Sequence, residues 1–418
     1  MRVLVALVLG VGAGLLLSPA NEIVSQSLSE NIGNWLALPG KLFLKLVQMI
    51  MIPLIVTSII SGLISASGDQ LKKVGGGLTI YFVITTALAV TIGVILTNLI
   101  QPGKHFSGLL PENTAPALPT TSEPQVSPFQ DIPKAISDLL PENPLASMVS
   151  GEMLAIVIFS IIIGLAMTQL NDKQYGPVSK GISAIQEICM IVVKWAMKLV
   201  PFAVFGLVAQ LISTIGLDSL TSVGLYVGTV ILGLTILLMF YLSFVFILAK
   251  KNPFTFLKTI REVQLLAFST TSSAAVMPLS IKVAQENLGV RKSISNFIIP
   301  IGATVNMDGT ALYQVISTLF IVQAYGIEMD MAALILVMVT IIAASIGTPA
   351  IPGGGVIILA SVLQGAGIPT EGIVMIIGVE RILGMFRTAI NVTGDLTACV
   401  VFERLGGKNT EEHTPVAS

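Results

Sequence analysis

Charged residues are scarce in this sequence. Only 11% of its 418 residues are charged, while 54% are hydrophobic and the mean hydropathy is +0.90. An average soluble domain carries about 25% charged residues, so this chain cannot cover a water-facing surface, and it is too apolar to be intrinsically disordered. A formal net charge of -1 excludes a protein that binds nucleic acid through electrostatic attraction. The composition therefore predicts a polytopic protein of the lipid bilayer.

Cysteine and histidine are almost absent as well. Cys189 and Cys399 both lie in apolar runs, which gives no basis for a disulfide framework. His105 and His413 lie in polar or proline-rich surroundings, which argues against a histidine metal site. We therefore expect no resident cofactor.

Long apolar runs outline the fold. A spanning helix needs about 20 mostly apolar residues, and the runs that satisfy this are 36–63, 74–100, 150–169, 185–212 and 223–249. The shorter run 1–17 is interpreted as a first helix rather than a cleaved secretory signal, because more membrane sequence follows it. Residues 101–144 are rich in Pro, Ser, Thr and Glu and predict a long external loop.

Lysine and arginine concentrate in every second connection. The positive-inside rule assigns those connections, and with them both chain termini, to the cytoplasm. The expected location is therefore the cell inner (plasma) membrane. The residues behind this prediction are Arg2, Lys72, Lys73, Lys173, Lys180, Lys250, Lys251, Lys258, Arg261, Arg291, Lys292, Arg404 and Lys408.

The last third of the chain is apolar but repeatedly interrupted by Gly, Pro, Ser and Thr. One break covers 269–278 and a second covers 347–355, each near the middle of a long apolar stretch. Irregular backbone at membrane depth persists only where it is buried in protein or lines a wet cavity. Two matching broken segments are typical of the binding site of an inverted-repeat transporter. We predict two re-entrant helical hairpins, with two kinked helices as the alternative.

Charged residues also occur in this apolar third. Each costs about 2.5–3.5 kcal/mol at the centre of a membrane helix, so together they require partners or ligands. They are Asp308, Glu380, Arg381, Arg387 and Asp395.

The last helix gathers polar residues on one stripe. At about 100° per residue they share one arc of its surface: Glu380, Gly384, Arg387, Thr388, Asn391 and Asp395. A purely structural ion pair between Arg387 and Asp395 is one interpretation, but it leaves a second polar cluster, 306–310, unexplained.

The residue types indicate two kinds of ligand. Carboxylate, amide and hydroxyl oxygens suit small hard cations, and the planar guanidinium of Arg387 suits a carboxylate. We therefore predict cation sites at Asp308 and Asp395 beside an anionic organic solute at Arg387. Binding both together would neutralise buried charge, which would make their transport obligatorily coupled.

Two other classes of protein use acids in a membrane. An intramembrane aspartyl protease would need Asp308 and Asp395 to share a proton at close range. It would also need a Gly-x-Gly-Asp signature, whereas Val392, Thr393 and Gly394 precede Asp395 here. An ion channel would carry solute without any dependence on a co-solute gradient.

Three motifs resemble the dicarboxylate/amino acid:cation symporter family. They are KLFLKLVQMIMIP at 41–53, NMDGTALYQ at 306–314 and RTAINVTGDLT at 387–397, and the resemblance covers nearly the whole chain. It implies an all-α polytopic membrane protein with eight transmembrane helices and two re-entrant helical hairpins. It further implies an inverted-repeat elevator transporter that assembles as a homotrimer and carries a small anionic substrate with sodium as the coupling ion.

The same resemblance divides the chain. Residues 1–72 would form scaffold helices 1 and 2, and 73–170 the third helix, the long external loop and the fourth helix. Residues 171–250 would form helices 5 and 6. The transport core, 251–405, would contain both hairpins with helices 7 and 8, and 406–418 would be a cytoplasmic tail.

Site residues are also implied by the resemblance. One sodium site would use Gly302, Asn306, Asn391 and Asp395. A second would use Thr304 and Met307 with Ser345 and Thr348 of the second hairpin, largely through their carbonyl oxygens. A third would use the Phe82 carbonyl, Thr85, Thr86, Asn306 and Asp308. Substrate contacts would come from Ser273, Thr310, Ile351, Gly355, Gly384, Arg387, Thr388 and Asn391.

Departures from the family pattern bear on the substrate. Acidic-amino-acid members carry an aspartate at the position of Gly384, where it holds the amino group, and an arginine at that of Thr271 or Met385. This chain has neither. The C4-dicarboxylate branch also lacks that aspartate and shares an arginine at the position of Arg381, while Thr388 follows the amino-acid branch. The resemblance thus implies sodium-coupled uptake of aspartate or glutamate. A C4-dicarboxylate symporter, sodium- or proton-coupled, is the first alternative, and a neutral or unusual amino acid as the substrate is the second.

Overall fold

The computed structural model describes residues 2–19, 24–65, 76–104, 140–150, 153–215, 218–345 and 353–406. Every regular element within these ranges is helical. The first half contains α1 (Arg2–Leu17), α2 (Gln26–Ser65), α3 (Gly76–Ile100), α4 (Pro144–Ser150), α5 (Met153–Met167), α6 (Asp172–Ile215) and α7 (Asp218–Ile247).

The second half has shorter, interrupted helices followed by one long helix. These are α8 (Pro253–Thr270), α9 (Ser273–Glu286), α10 (Lys292–Val305), α11 (Asp308–Ala324), α12 (Met331–Ser345), α13 (Gly354–Gly365), a 3-10 helix (Thr370–Met375) and α14 (Ile377–Leu405).

Apolar helices of spanning length match two of the predicted runs, 74–100 and 223–249, and a third is displaced toward the N-terminus relative to the predicted run 185–212. Within the described ranges, three helical stretches are long and apolar enough to cross a bilayer: Gly76–Ile100, Lys173–Ala196 and Thr221–Ile247. Shorter apolar helices include Ala155–Met167 and Met331–Ser345. Both α2 and α6 begin before the apolar runs that predict them, because polar turns at their ends continue the helix.

Close helix approach organises α1, α2 and α6. A Cβ atom at Gly206 in α6 would lie 1.7 Å from the backbone oxygen of Leu36 in α2. One at Gly14 in α1 would lie 2.6 Å from the Cβ of Ile212. Small residues at membrane-helix interfaces let backbones meet in this way. Only glycine fits at these two contacts without moving a helix.

This packing gives a stability prediction. Gly206→Ala is expected to lower the Tm in detergent by several degrees, because overpacking costs about 1–3 kcal/mol and the obstructing atom is backbone. Thermal unfolding of the purified protein measures the effect. The matched control is Gly12→Ala, since a Cβ on Gly12 meets nothing within 4 Å. Equal Tm values for the two variants would contradict the packing.

The first predicted break is confirmed. α8 ends at Thr270, and Thr271 adopts the left-handed conformation with φ 53° and ψ 33°. Ser272 then caps α9, accepting a 3.3 Å hydrogen bond from the Ala275 N–H. The left-handed residue reverses the chain, and α8 and α9 pack against each other.

The second predicted break separates α12 from α13. Most of it, with Thr348 and Ile351, lies outside the described residues, as do most of the predicted external loop, the Lys72–Lys73 pair and nearly all of the predicted tail. The structure therefore gives no geometry for these positions.

A further interruption was not predicted. The helical run ends at Val305 and restarts at Asp308, leaving Asn306 and Met307 outside α10 and α11. By contrast, α14 is continuous for 29 residues. The unbroken helix therefore packs against an irregular segment, and the polar residues of both meet there.

Candidate functional site

The polar stripe predicted on α14 is confirmed. Glu380, Gly384, Arg387, Thr388, Asn391 and Asp395 are all buried. The stripe faces the interruption between α10 and α11, and its Arg387 end also meets the start of α13. Three interrupted elements and one continuous helix thus form a single buried polar region.

Asp308 joins three helices. It is fully buried at 0% exposure at the start of α11. Its Oδ1 accepts a 2.6 Å hydrogen bond from the Thr86 hydroxyl of α3, and its Oδ2 accepts one of 2.6 Å from the Tyr241 hydroxyl of α7. The neighbouring Thr85 hydroxyl donates to the Phe82 carbonyl at 3.1 Å. The residues predicted for the third sodium site on α3 therefore lie beside this carboxylate.

Asp395 lies against the end of α10. Its Oδ1 accepts a 3.0 Å hydrogen bond from the Asn306 amide. A Cβ on Gly302 would lie 2.3 Å from the same Oδ1, so glycine is needed there. The Oδ1 of Asn306 is buried and has no hydrogen-bond partner. An unpartnered buried acceptor beside a buried carboxylate indicates a place for a cation.

Asn391 connects this cluster to the next. Its Oδ1 accepts a 2.8 Å hydrogen bond from the Gly309 N–H, and its Nδ2 donates to the Thr310 hydroxyl at 3.0 Å. The same Nδ2 approaches the Met307 sulfur at 3.7 Å. One amide therefore holds the irregular segment and the start of α11 against α14.

Arg387 is buried beside an acid and an aromatic ring. Its Nη2 lies 3.2 Å from Glu380 Oε1, and its Cζ lies 4.7 Å from the centre of the Tyr313 ring. A Cβ on Gly355 would lie 2.2 Å from Nη1, so α13 begins directly against the guanidinium. That Nη1 is buried without a hydrogen-bond partner. The ion pair considered between Arg387 and Asp395 is wrong, because Glu380 takes the arginine.

Other predicted residues make hydrogen bonds within their own helices. The Thr304 hydroxyl donates to the Ile301 carbonyl at 3.0 Å, and Ser345 donates to the Ile342 carbonyl at 2.8 Å. The Thr388 hydroxyl donates to the Gly384 carbonyl at 2.8 Å. Ser273 is buried at the start of α9. No hydrogen bond between the Thr304 and Ser345 side chains is present in the described part of the chain.

Three features of the site were not predicted from the sequence. They are the positions of Tyr241 and Tyr313 in it and the ion pair between Glu380 and Arg387. Tyr241 and Tyr313 are fully buried, and a hydroxyl at membrane depth needs a partner. That requirement was the available signal for Tyr241. Its partner could not be read from the sequence, because Asp308 is 67 residues away.

The two ends of the site differ in charge: one contains the Arg387–Glu380 ion pair, and the other contains Asp308 and Asp395. Of the ion pairs among the described residues, only Arg387–Glu380 is fully buried. Asp308 and Asp395 have hydroxyl and amide donors but, within the described ranges, no lysine or arginine partner. Buried charges without compensation are strongly unfavourable, so these two carboxylates call for a cation. Their separate donors give no sign of a shared proton.

The donor set suits a small hard cation. No group of three His, Cys, Asp or Glu residues in the described ranges could hold a transition metal. Carboxylate, amide, hydroxyl and carbonyl oxygens are available instead. The arrangement can therefore bind small cations at one end and a carboxylate at Arg387 at the other.

The ends of α8–α10 and α14 form a separate polar contact. Glu403 accepts hydrogen bonds from the Arg291 backbone N–H at 2.9 Å and from its Nε at 3.0 Å. The Lys251 ammonium donates to the Leu288 carbonyl. Burial lowers the pKa of Lys251, and nearby Glu403 opposes that shift. This Arg–Glu pair lies away from the site and provides a matched control for the buried one.

Comparison with known proteins identifies the family. The model of the sodium:dicarboxylate symporter family matches residues 1–405. The chain belongs to the sodium:dicarboxylate symporter family. Members of this family are membrane transporters rather than enzymes, which excludes the aspartyl protease considered from the sequence.

Relatives from bacteria and animals align over most of this symporter. It is 33% identical to the proton/sodium-glutamate symport protein of Geobacillus stearothermophilus over 92% of this chain and 91% of the relative. Identity to the proton/glutamate-aspartate symporter of Escherichia coli is also 33%, over 96% and 92%. It is 31% identical to human neutral amino acid transporter A, over 92% and 79%.

Proposed function

We propose that the protein is a secondary active symporter that takes up aspartate or glutamate together with sodium. The observation that carries this proposal is the buried Arg387, whose Nη1 has no partner among the described residues, in the same buried polar region as two carboxylates without a lysine or arginine partner there. A buried arginine with an unpartnered Nη1 is suited to bind the carboxylate of a solute. Buried carboxylates without a cationic partner are suited to bind cations.

The names of the relatives support the choice of substrate. Two of those compared are glutamate or glutamate–aspartate symporters. One of these names includes proton and sodium and the other includes only the proton, so the names do not decide the coupling ion and the choice is argued from the residues. Asp308, Asp395 and the unpartnered Asn306 Oδ1 offer oxygen ligands to an ion. We therefore propose sodium, at the three sites implied by the family resemblance.

Coupling between ion and solute would pass through Asn391. Its amide contacts Thr310, a proposed substrate residue, and Met307, a proposed ion ligand. It stands one turn from Arg387 and one turn from Asp395 on α14. Ion binding that fixes this amide would prepare the solute site. Binding both would leave the buried region close to neutral, which favours movement of the loaded carrier.

The proposal includes the family architecture. The transport core, 251–405, would move past scaffold helices in an elevator motion, with α8–α9 and α12–α13 as re-entrant hairpins. Eight transmembrane helices, a homotrimer in the inner membrane and cytoplasmic termini complete it. The second hairpin, which includes Ser345 and Gly355, would close over bound solute. The continuous α14 suits a rigid moving unit because it carries residues of both sites.

The proposal is tested by uptake into proteoliposomes. Labelled L-aspartate and succinate are supplied with an inward sodium gradient and then with choline in place of sodium. Accumulation of aspartate that requires sodium is the expected result. Succinate uptake without aspartate uptake would place the protein in the C4-dicarboxylate branch. Uptake of either solute that ignores the cation gradient would contradict symport and favour a channel.

Tyr241 gives a prediction about the ion site. Tyr241→Phe removes one of two donors to Asp308, and hydrogen bonds to charged groups contribute about 1.5–3 kcal/mol. A cation can replace the missing donor. We expect a lower Tm without sodium and a larger increase of Tm on adding sodium than in the wild type.

Tyr226→Phe is the matched control for this prediction. Tyr226 is buried on the same helix, and its hydroxyl lies 2.8 Å from the Ser317 hydroxyl rather than from a carboxylate. Its removal should lower Tm while leaving the sodium-dependent increase unchanged. Equal sodium-dependent increases in both variants would remove Tyr241 from the ion site.

A further inference from the structure

A small gap lies beside the buried ion pair of α14. Gly384 stands one turn after Glu380 and almost one turn before Arg387. Apart from the backbone of its own helix, a Cβ built on Gly384 would meet two heavy atoms of the described residues within 4 Å, Glu380 Oε1 and Arg387 Nη2, each at 3.7 Å. Both contacts are at ordinary van der Waals distance. Among the described residues, position 384 can therefore accommodate a small group in contact with one acidic and one basic side chain.

Glu380 and Arg387, which face this gap, hold each other in place but keep hydrogen-bonding capacity for a ligand. Their contact joins only Glu380 Oε1 and Arg387 Nη2, at 3.2 Å. Their side chains are 9% and 6% exposed, so both are shielded from bulk water. Tyr313 lies against the guanidinium, and Nη1 has no partner. No second hydrogen bond to the Glu380 carboxylate occurs within the described ranges.

Adjacent opposite charges match the chemistry of an amino acid. An α-amino acid carries an ammonium close to its carboxylate, whereas a C4-dicarboxylate carries carboxylates only. A carboxylate placed next to Glu380 would be repelled, and an ammonium would be attracted. The pair thus offers a physical basis for preferring aspartate over succinate, which differ by that ammonium.

We propose that Glu380, facing the gap left by Gly384, accepts the ammonium of an amino-acid substrate while Nη1 of Arg387 holds a substrate carboxylate. Glu380 is then a specificity-determining residue of the transport reaction. This inference rests on the proposed function and names the group within that site that selects amino acids. It also explains how the site could bind an amino group although position 384 is glycine rather than aspartate.

Glu380→Gln tests the proposal with little change of shape. Losing a hydrogen bond to a charged group corresponds to about a 10- to 150-fold loss of affinity. We expect the KM for aspartate to rise by that factor, while inhibition of aspartate uptake by succinate is retained or strengthened. The altered ratio of the two affinities is the informative readout, because general damage to Arg387 would weaken both solutes together.

Glu403→Gln is the matched control. Glu403 also pairs with an arginine, Arg291, at 3.0 Å, but away from the site. Its substitution should leave the aspartate-to-succinate ratio unchanged. An equal loss of both solutes in Glu380→Gln, or no change in aspartate affinity, would overturn the proposal.

A double variant tests the gap itself. Combining Glu380→Gln with Gly384→Asp places a carboxylate at position 384 and removes the original one. Aspartate affinity should recover by at least 10-fold relative to Glu380→Gln alone. Protein that retains sodium-dependent thermal stabilisation but shows no recovery would argue against an ammonium at this place. Gly384→Asp alone should raise the preference for aspartate over succinate.

Failure of this inference is distinguishable from failure of the proposed function. Wild-type protein that accumulates succinate with sodium but not aspartate would leave symport intact and remove the role of Glu380. Wild-type protein that accumulates neither solute would overturn both.

Discussion

Arg387→Ala is expected to abolish binding of aspartate and succinate, with a loss of more than about 100-fold in affinity. The guanidinium is the only cationic side chain among the buried residues of the described ranges, and its Nη1 has no other partner. Sodium binding near Asp308 should persist, because that carboxylate is held by Thr86 and Tyr241 instead. Solute binding by isothermal calorimetry and the sodium-dependent change of Tm measure the two effects separately.

Two further variants make this result interpretable. Arg387→Ala leaves Glu380 buried and unpaired, and breaking a buried pair costs about 3–5 kcal/mol. Combining Arg387→Ala with Glu380→Gln should restore stability without restoring solute binding. Arg291→Ala removes the arginine of the distant pair and should leave solute affinity unchanged. Equal loss of sodium and solute in the stable double variant would contradict the separation of the two sites.

Asp308→Asn should remove sodium-dependent uptake, by a factor of more than about 100, since the buried charge that attracts the ion is lost. The shape is retained, and the hydroxyls of Thr86 and Tyr241 can turn to donate or accept. Because the two other proposed sodium sites do not use Asp308, we expect folded protein whose Tm increases with sodium by clearly less than that of the wild type. Thermal unfolding at increasing sodium concentration, with choline as the balancing cation, is the direct measurement.

Asp330→Asn is the control for that substitution. Asp330 is an exposed aspartate before α12, where its Oδ1 accepts a 2.7 Å hydrogen bond from the Ala333 N–H. Asparagine keeps this acceptor, so uptake should remain at the wild-type level. A normal sodium requirement in Asp308→Asn would mean that the coupling ion binds elsewhere.

Much of the fold follows from local sequence properties. The apolar run 74–100 predicts α3, and α3 covers Gly76–Ile100. The Ser/Thr-rich break at 269–273 corresponds to Thr271 and Ser272 between α8 and α9. Both predictions depend on run length and on residues close in sequence. Such predictions hold in the folded protein because the membrane thickness and the backbone conformation act on each segment locally.

The interruption at Asn306 and Met307 depends on distant residues. Asn306 donates to Asp395, which is 89 positions away, and the Gly309 N–H donates to Asn391, which is 82 positions away. The backbone N–H of Gly309 donates to a side chain of another helix instead of to a carbonyl of its own helix, as it would in a continuous helix. No local pattern predicts the position of this interruption, although the polar cluster at 306–310 indicates the region in which it lies.

The ion-pair partner of Arg387 could not be predicted from the sequence either. Glu380 and Asp395 stand two turns before and after it on the same stripe, so periodicity permits either ion pair. The choice is made by the interruption that follows α10, where the Asn306 amide donates a hydrogen bond to Asp395. Packing between helices, rather than spacing along one helix, therefore decides which acid compensates the arginine.

The position of Asn391 would impose a thermodynamic rule on a symporter that binds ion and solute as proposed. Its Oδ1 accepts from the Gly309 N–H and its Nδ2 donates to Thr310, so this one side chain would be shared between the proposed ion site and the proposed solute site. Linkage between two ligands is reciprocal: the factor by which the ion tightens the solute equals the factor by which the solute tightens the ion. A carrier built on such a shared amide would disfavour half-loaded states at equilibrium, which would suppress leakage of either ligand alone from both sides of the membrane.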